Sequence, residues 1–328
     1  MNSKKVSIIV PTYNRSGDIK KAVESLMEID YPDYEIIVVD DASKDNTSEV
    51  LKKFGNKIRL IVRKKNGGPA AARNDGIRAA KGRFIAFTDS DCTVSRNWIK
   101  TLVKFLNTFK LPDNVAGVCG TIYPPKDANF LMKLIYFMPQ MDGNTMLAEK
   151  KNKPFQVNNI SCNNAVWRAD VIKKMRSFDE SFFKNFRAVP EDSELCYRTL
   201  KSGYKFYMYP GAETYHHFRP TLKEFLKQSY RAGRGGGVVL LKHKDWFGWQ
   251  TPLIFGFIPV LFYPAAWPFV ALFGIYISSP ILTRPNMDIF EKITLFLAAI
   301  PLWILKSTAN VIGFWEGLFE AVTKRLEK

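Results

Sequence analysis

Residues 6–14 read VSIIVPTYN, a short apolar run that passes directly into polar residues. Apolar side chains then recur at helical spacing, at Ile19, Val23 and Leu26. A buried run followed by an amphipathic helix is the first half of a unit in which a helix connects two parallel strands. The segment therefore predicts an α/β domain that begins with a strand.

The alternation of strand and helix continues along the chain. Further apolar runs lie at Glu35–Val39, Ile58–Val62 and Phe84–Phe87. A helix is expected to begin at Pro69, because proline is favoured in the first helical turn. Repeated units of this kind predict a doubly wound, mostly parallel sheet.

Polar residues follow three of the predicted strands, at Pro11–Asn14, Asp40–Ser43 and Thr88–Asp91. In open α/β sheets, ligands bind beyond the carboxyl ends of the strands. The sequence therefore predicts one cleft that all three segments line.

The composition points to an anionic partner. Lysine and arginine number 48 against 31 acidic residues, which gives a net charge of +17. Nucleic acid and an anionic membrane surface both meet that requirement.

The four cysteines are widely spaced and are expected to be reduced core thiols. The apolar run Val6–Val10 is too short for a cleaved signal peptide, so the main domain is expected in the cytoplasm.

The last third of the chain favours the membrane over nucleic acid. A basic segment ends near residue 245, and Leu253–Ser279 then has no ionisable side chain except tyrosine. Its 27 residues would extend about 40 Å as a helix, more than the ~30 Å of a bilayer core. Internal prolines keep a re-entrant pair of short helices open as an alternative. Ile293–Trp315 is a second candidate span or, because it contains Lys306, an interfacial helix.

These features predict three segments. A main domain is expected at residues 1–218, a basic juxtamembrane segment at 219–250, and a membrane region with one or two helices at 251–328. If both candidate helices span, the basic segment and the C-terminus lie on the cytoplasmic side, as the positive-inside rule requires.

The tripeptide Asp89-Ser90-Asp91 directly follows a predicted buried strand. Paired carboxylates suit Mg²⁺ or Mn²⁺, which neutralises the charge of a diphosphate leaving group. The same residues with Cys92 and Thr93 also match the nucleophile loop of haloacid-dehalogenase-type phosphatases. That loop normally opens its fold, whereas three strand–helix units precede it here, so the phosphatase interpretation is set aside.

A second acidic pair, Glu191 and Asp192, lies at a predicted helix start after Pro190. Carboxylates there either cap the helix or act as a general base. His216 and His217 are two of the three histidines in the chain, and an imidazole is able to complete a carboxylate-bound metal site. These residues are further candidates for the cleft.

The turn at Asn66–Pro69 contains two glycines and leads into a helix that carries Arg73. The amides at such a helix start and the guanidinium of Arg73 would suit a diphosphate. The glycine spacing does not fit a dinucleotide-binding fingerprint.

In this order, the motifs resemble those of the inverting family 2 glycosyltransferases, which have the GT-A fold. The resemblance covers roughly residues 5–220 and rests on the following segments in sequence order: Pro11–Arg15, Val39–Ser43, Asn66–Gly68, Ala72–Asn74, Asp89–Asp91, Asn164–Arg168, Phe178–Glu180 and Glu191–Asp192. It implies transfer of a sugar, with inversion, from a nucleotide diphosphate of the UDP or GDP type to an acceptor hydroxyl.

The resemblance also implies roles for individual residues. Asp91 would bind Mn²⁺ or Mg²⁺ with help from Asp89 and His216, and Asp192 would be the catalytic base. The remaining expected contacts are to the nucleotide, the diphosphate or the transferred sugar, and they are Pro11, Thr12, Tyr13, Asp41, Gly68, Arg73, Ser90, Asn164 and Glu191.

Gln228–Arg231 is similar to the Q-x-x-R-W element of processive polysaccharide synthases, but Ala232 replaces the tryptophan. Transfer of a single sugar is therefore expected rather than polymerisation. The membrane tail is similar to that of members whose acceptor is a polyprenyl phosphate or a lipid-linked saccharide. A nucleotide-sugar-binding scaffold without turnover is the non-enzymatic alternative, and a nucleic-acid partner is not expected.

Overall fold

A computed structural model describes residues 5–108, 114–137, 153–186, 190–217, 221–243, 279–283 and 287–326, with residues 272 and 275. The chain forms two compact units. The first contains residues 1–125, 144–185 and 191–217, and the second contains residues 126–143, 186–190 and 218–328.

The described strands of the first unit form one nine-stranded sheet. In chain order they are β1 (Val6–Thr12), β2 (Tyr34–Asp40), β3 (Arg59–Val62), β4 (Phe84–Phe87), β5 (Cys92–Val94), β6 (Val115–Tyr123), β7 (Phe155–Val157), β8 (Ala165–Arg168) and β9 (Lys205–His216). The main path of the sheet runs β3-β2-β1-β4-β8-β6-β9-β5, and β7 pairs with β9.

The described helices are α1 to α10 in chain order. Those of the first unit or at its margin are α1 (Ser16–Met27), α2 (Thr47–Lys52), α3 (Gly68–Ala79), α4 (Trp98–Thr108), α6 (Ala169–Lys174), α7 (Ser181–Phe186) and α8 (Glu191–Lys201). Those of the second unit are α5 (Phe130–Phe137), α9 (Leu222–His243) and α10 (Ile289–Leu326). Short 3-10 helices cover Gly55–Lys57 and Ser279–Thr283.

The first four strands are parallel, as the sequence predicts. β1 lies at the centre of this group, between β2 and β4, and β3 continues the sheet beyond β2. Every residue of β1 is buried, because helices cover both faces of the sheet at this position. The carboxyl ends of β1 and β2 are in register, with Thr12 opposite Asp40.

The second half of the sheet departs from the parallel pattern. β8 lies between β4 and β6 and is antiparallel to both. It reads Ala-Val-Trp-Arg, and its first three residues are buried. A run this short has no readable period, so the sequence prediction omitted β8. The fold is a mixed, mostly parallel sheet of the GT-A type.

The core of the first unit lies on the two faces of this sheet. One face packs Ile8 and Val38 against α1 and α4, through Ile19 and Trp98. The other face packs Ile85 and Phe87 with residues of α6 and α8. All four cysteines are buried and unpaired, which agrees with the expected core thiols.

The second unit contains two long helices, α9 and α10, which pack against each other. Within Ile289–Lys324, α10 is long and apolar enough to cross a bilayer by length and composition. It is the one helix of that kind among the residues that the structure describes. The other candidate span, Leu253–Ser279, lies almost entirely outside those residues.

Candidate active site

The loop after β2 is organised by the carboxylate of Asp41, which is buried. Its oxygens accept hydrogen bonds from the amides of Gly67, at 3.0 Å, and of Gly68, at 2.7 Å. Arg63 donates a further hydrogen bond to the same carboxylate. The two glycine amides are therefore bonded to Asp41, whereas the sequence led us to expect them free for a diphosphate.

Gly68 is confined to its position by geometry. Its φ of +84° lies in the region that side chains disfavour, and a Cβ there would overlap the ring of Phe183. The residue begins α3 and places Arg73 just over one turn into the helix.

Arg73 lies inside the unit, only 5% exposed, and joins two parts of the predicted site. One Nη atom donates to Asp89 and the other donates to Glu191, both at 2.8 Å. The ring of Phe178 lies below the guanidinium, 5.7 Å from its Cζ. Because both Nη atoms are bonded to carboxylates, Arg73 holds these two parts of the site together. The sequence did not predict this role.

Glu191 is buried beside Asp192 at the start of α8. Burial raises the pKa of the Glu191 carboxyl above its usual range, and the charge of Asp192 raises it further, although Arg73 opposes the shift. Arg73 is also close enough to Asp192 to feel its charge. One guanidinium therefore interacts electrostatically with three carboxyl groups, those of Asp89, Glu191 and Asp192.

Asp192 is partly exposed, in contrast to Glu191. Its Oδ1 accepts a hydrogen bond of 2.8 Å from the backbone amide of Ser193, at the amino end of α8. The helix dipole favours an ionised carboxylate at that position. Asp192 is thus a carboxyl group that solvent reaches, as a general base requires.

Asp91 and His216 meet on neighbouring strands. His216 ends β9 and pairs in register with Cys92, the first residue of β5. Its Nε2 lies 3.5 Å from Oδ1 of the buried Asp91 carboxylate, and Arg15 lies 3.7 Å from Oδ2. His217 contributes its backbone amide, which donates to the carbonyl of Asp91 at 2.9 Å. The proximity of Arg15 to Asp91 was not predicted from the sequence.

Asp91, Cys92 and His216 form a group whose ligand atoms lie within 4.8 Å of one another. A carboxylate oxygen and an imidazole nitrogen suit Mn²⁺, and Mg²⁺ is also held by carboxylates. Burial raises the pKa of the Cys92 thiol well above its usual value, so it stays neutral and is a poor ligand for either ion. The residues present therefore fit a divalent cation through Asp91 and His216.

Asp89 is not a member of this group, and its Oδ1 accepts a hydrogen bond from Arg73. Ser90, between the two aspartates, is 7% exposed. At the end of β1, Thr12 is buried and its hydroxyl has no hydrogen-bond partner, whereas Tyr13 is 40% exposed. Pro11 is a buried residue of the same strand. An exposed tyrosine ring just beyond the carboxyl end of β1 is a suitable surface for a planar base.

Asn164 has a structural role that the resemblance did not indicate. Its amide nitrogen donates to the carbonyls of Thr121 and Ala212, and its oxygen accepts from Nε1 of Trp98 at 2.7 Å. The side chain is fully buried, and its hydrogen bonds join three elements. Its neighbour Asn163 instead has a buried side-chain oxygen without a partner.

Comparison with known proteins assigns the fold and the family. The model of Glycosyl transferase family 2 matches residues 7–176, which is more than half of the chain. A glycosyltransferase from Methanococcus voltae is 26% identical over 96% of this chain and 97% of its own length. It is named as a dolichyl N-acetyl-glucosaminyl phosphate 3-β-diacetamido-dideoxy-glucuronosyltransferase. The probable glycosyltransferase YdaM of Bacillus subtilis is 29% identical over 92% of this chain and 71% of its own length.

Two solved structures share the fold over nearly the whole chain. The mannosyltransferase PcManGT from Pyrobaculum calidifontis, in complex with GDP-Man and Mn²⁺, superposes with a TM-score of 0.57 at 19% identity. The alignment covers 98% of this chain and 86% of PcManGT. Residues 1–349 of Staphylococcus aureus TarS, in complex with UDP-GlcNAc, give a TM-score of 0.53 at 18% identity, with 99% and 92% covered.

The match extends from the first residues of β1 through the loop after β4, which carries Asp89 and Asp91, to α6. The order of strands and the family model lead to the same assignment. This chain belongs to glycosyl transferase family 2 and is an enzyme that transfers sugar from a nucleotide-sugar donor.

Proposed function

We propose that this enzyme transfers one sugar from a UDP- or GDP-linked donor to the hydroxyl of a lipid-linked acceptor, with inversion and with a divalent cation. The observation that carries the proposal is the pair of hydrogen bonds from Arg73. It ties the loop of Asp89 and Asp91 to the start of α8, where Asp192 lies. The donor side and the acceptor side of the site are thereby held in one arrangement.

Donor binding is assigned to the carboxyl ends of β1, β2 and β4. Tyr13 and Asp41 would contact the base and ribose, since Tyr13 offers an exposed ring and Asp41 is fixed by the Gly67 and Gly68 amides. Asp91 and His216 would hold Mn²⁺ or Mg²⁺, which when bound neutralises charge on the diphosphate. Asp89 assists indirectly, because its carboxylate orients Arg73.

Asp192 is the proposed general base. It accepts the proton of the acceptor hydroxyl while that oxygen forms a bond to the anomeric carbon. The nucleoside diphosphate leaves from the opposite face with the electrons of the broken C–O bond, so the configuration inverts. Glu191 remains bonded to Arg73 and keeps the start of α8 in place.

The lipid-linked acceptor is supported by two observations. The Methanococcus voltae relative, similar along almost the full length of both chains, is named for a dolichyl-phosphate-linked sugar. Helix α10 is apolar enough to enter a bilayer. We assign the catalytic unit to the cytoplasmic face, because the basic segment that follows it obeys the positive-inside rule in that orientation.

Transfer of one sugar is proposed over polymerisation. In the segment that is similar to the synthase element, Tyr230 is bonded to Glu316, and the carbonyl of Ser229 accepts from Asn310. These residues pack α9 against α10. The proposal of single-sugar transfer rests on Ala232, which stands where the synthase element has tryptophan.

A donor screen tests the proposal. The full chain in detergent is heated with each common UDP- or GDP-sugar and Mn²⁺, and the melting temperature is recorded. A true donor stabilises the folded state, by about 2.7 kcal/mol at one hundred times its Kd. That donor should then label polyprenyl phosphate or a lipid-linked saccharide, and EDTA should abolish the labelling. If no UDP- or GDP-sugar raised the melting temperature, or if transfer persisted in EDTA, the proposal would be contradicted.

A further inference from the structure

Helix α10 carries an exposed apolar stripe along most of its length. Among its side chains that the structure describes, every exposed one is apolar except Glu316. The α10 stripe consists of Phe290, Ile293, Leu297, Pro301, Leu305, Ile312, Trp315, Phe319 and Val322. At 3.6 residues per turn these positions fall in a sector about 120° wide and extend for about 48 Å.

The opposite side of α10 packs closely against α9. A Cβ on Gly233 would overlap the carbonyl oxygen of Asn310, and a Cβ on Gly313 would overlap that of Tyr230. Gly237 and Gly317 make the same kind of contact one turn further along both helices, so the two helices run parallel. Arg234 bonds to Glu320 and lies 3.6 Å from Glu316, which adds ion pairs to the interface.

This pairing is unfavourable for a spanning α10. If the paired part of α10 crossed the bilayer, α9 would cross with it, and α9 exposes Lys223, Lys227 and Arg231. Each such charge costs on the order of 3 kcal/mol at the bilayer centre. If the same pairing continues back to Leu222, the first residue of α9, only about 14 residues of α10 remain unpaired. Those residues rise roughly 20 Å, which is less than the ~30 Å thickness of the bilayer core.

We propose that α10 lies along the membrane surface, with its stripe in the acyl boundary, and does not cross the bilayer. A one-sided stripe of about 48 Å fits an interfacial helix, whose apolar face enters by about 5–10 Å. The partner is an anionic lipid surface, because the exposed basic residues of α9 complement its charge. The sequence between the two helices includes the apolar segment Leu253–Ser279.

The inference rests on the proposed membrane attachment and concerns its geometry. Its test measures depth along the stripe. The full chain carries a fluorophore on one new cysteine, in Ile293→Cys, Leu305→Cys or Phe319→Cys, and Asp170→Cys, at an exposed position of the catalytic unit, serves as the control. The four native cysteines are buried, so labelling is selective for the introduced thiol. The proteins are bound to vesicles of phosphatidylcholine and phosphatidylglycerol whose lipids carry a shallow or a deep quencher.

An interfacial α10 predicts the same depth at all three stripe positions, with shallow quenching exceeding deep quenching by about two-fold or more. The control position should not be quenched. A depth profile with Leu305 deepest and both other positions shallow would show a spanning helix and overturn the inference. Absence of quenching at all three positions would overturn it as well.

Sugar transfer measured on the same samples separates this inference from the proposed function. A spanning profile with intact transfer overturns only the helix geometry. Equal, shallow depths with no turnover of any donor support the geometry and contradict the proposed function.

Discussion

At the scale of single residues, Arg73 explains why acidic side chains far apart in sequence lie together. Its guanidinium is buried and bonds to Asp89 and Glu191, which are 16 and 118 positions away in the chain. Removing one partner of a buried ion pair costs about 3–5 kcal/mol, because it leaves the other charge uncompensated. Arg73 is therefore a positioning residue whose effect on transfer passes through the two carboxylates.

The stability of Glu191→Gln tests this arrangement through its pH dependence. The folded pKa of Glu191 is raised above 4.5, its ordinary value, so the folded state holds the proton more tightly than the unfolded chain. Its contribution to stability is fully present below pH 4.5 and is lost as pH rises through the folded pKa. The variant should therefore be most destabilised relative to wild type at acidic pH and less so near neutrality.

The measurement is urea unfolding of both proteins across that pH range, followed by tryptophan fluorescence. Asp170→Asn is the control, because Asp170 forms an ion pair with Arg168 at the surface and the pKa of its carboxyl is lowered. Its destabilisation should be small and should change with pH in the opposite direction. Destabilisation of Glu191→Gln that grows toward neutral pH would mean that Arg73 outweighs burial.

The two adjacent histidines offer a matched comparison for the cation site. The side chain of His216 faces Asp91, whereas His217 reaches Asp91 through its backbone amide. His216→Ala should raise the Mn²⁺ concentration for half-maximal transfer by about ten-fold or more, as expected when a ligand is lost. His217→Ala should leave it nearly unchanged. Equal effects in a Mn²⁺ titration would remove His216 from the proposed site.

The sequence predicted which residues belong to the candidate site better than it predicted the contacts that their side chains make. Asp91 and His216 were expected together, and the structure places them 3.5 Å apart. For Arg73 and Asn164, the sequence indicated ligand contacts, whereas their polar groups bond to protein partners. Those partners come from distant segments, and no local pattern contains them.

At the scale of elements, prediction succeeded where strands are parallel and connected by helices. The burial of β1 and the helical spacing of α1 are both local properties of the sequence. The strand β8 was missed because its place between β4 and β6 depends on long-range pairing. Asp41 follows β2, and Asp89 and Asp91 follow β4, so these aspartates lie beyond the carboxyl ends of parallel strands, as the sequence predicts.

The pairing of α9 with α10 gives a prediction at this scale. Gly233→Ala places a methyl group against the backbone of Asn310 and should cost about 1–3 kcal/mol through overpacking. Gly236→Ala is the control, because its Cβ would lie at an ordinary 3.6 Å from Phe314. Both changes remove a helical glycine, so propensity alone makes both slightly favourable.

Amide hydrogen exchange of the two helices distinguishes these variants. Exchange in α9 and in the second half of α10 should accelerate about ten-fold or more in Gly233→Ala and should not accelerate in Gly236→Ala. Unchanged exchange in Gly233→Ala would mean that the close contact of the helices is not needed for their stability.

At the scale of the whole molecule, the charge of +17 and the apolar C-terminal third both suit the proposed attachment to an anionic membrane surface. Composition predicted an anionic partner, and the exposed basic residues of α9 precede the apolar helix α10. The sequence left open whether α10 crosses or lies on the membrane. That choice depends on which faces of α9 and α10 pack together, which only the three-dimensional contacts reveal.

In the proposed reaction, Asp192 takes the proton of the acceptor hydroxyl in a cation-dependent transfer. The most direct measurement compares sugar transfer by wild type, Asp192→Asn and the surface control Asp170→Asn, with the donor that stabilises the wild type. We expect Asp192→Asn to transfer sugar about 10²–10⁴-fold more slowly while the donor still raises its melting temperature, and we expect Asp170→Asn to match wild type. Transfer by Asp192→Asn within about ten-fold of wild type would contradict this role of Asp192, because the loss of a general base costs more than that.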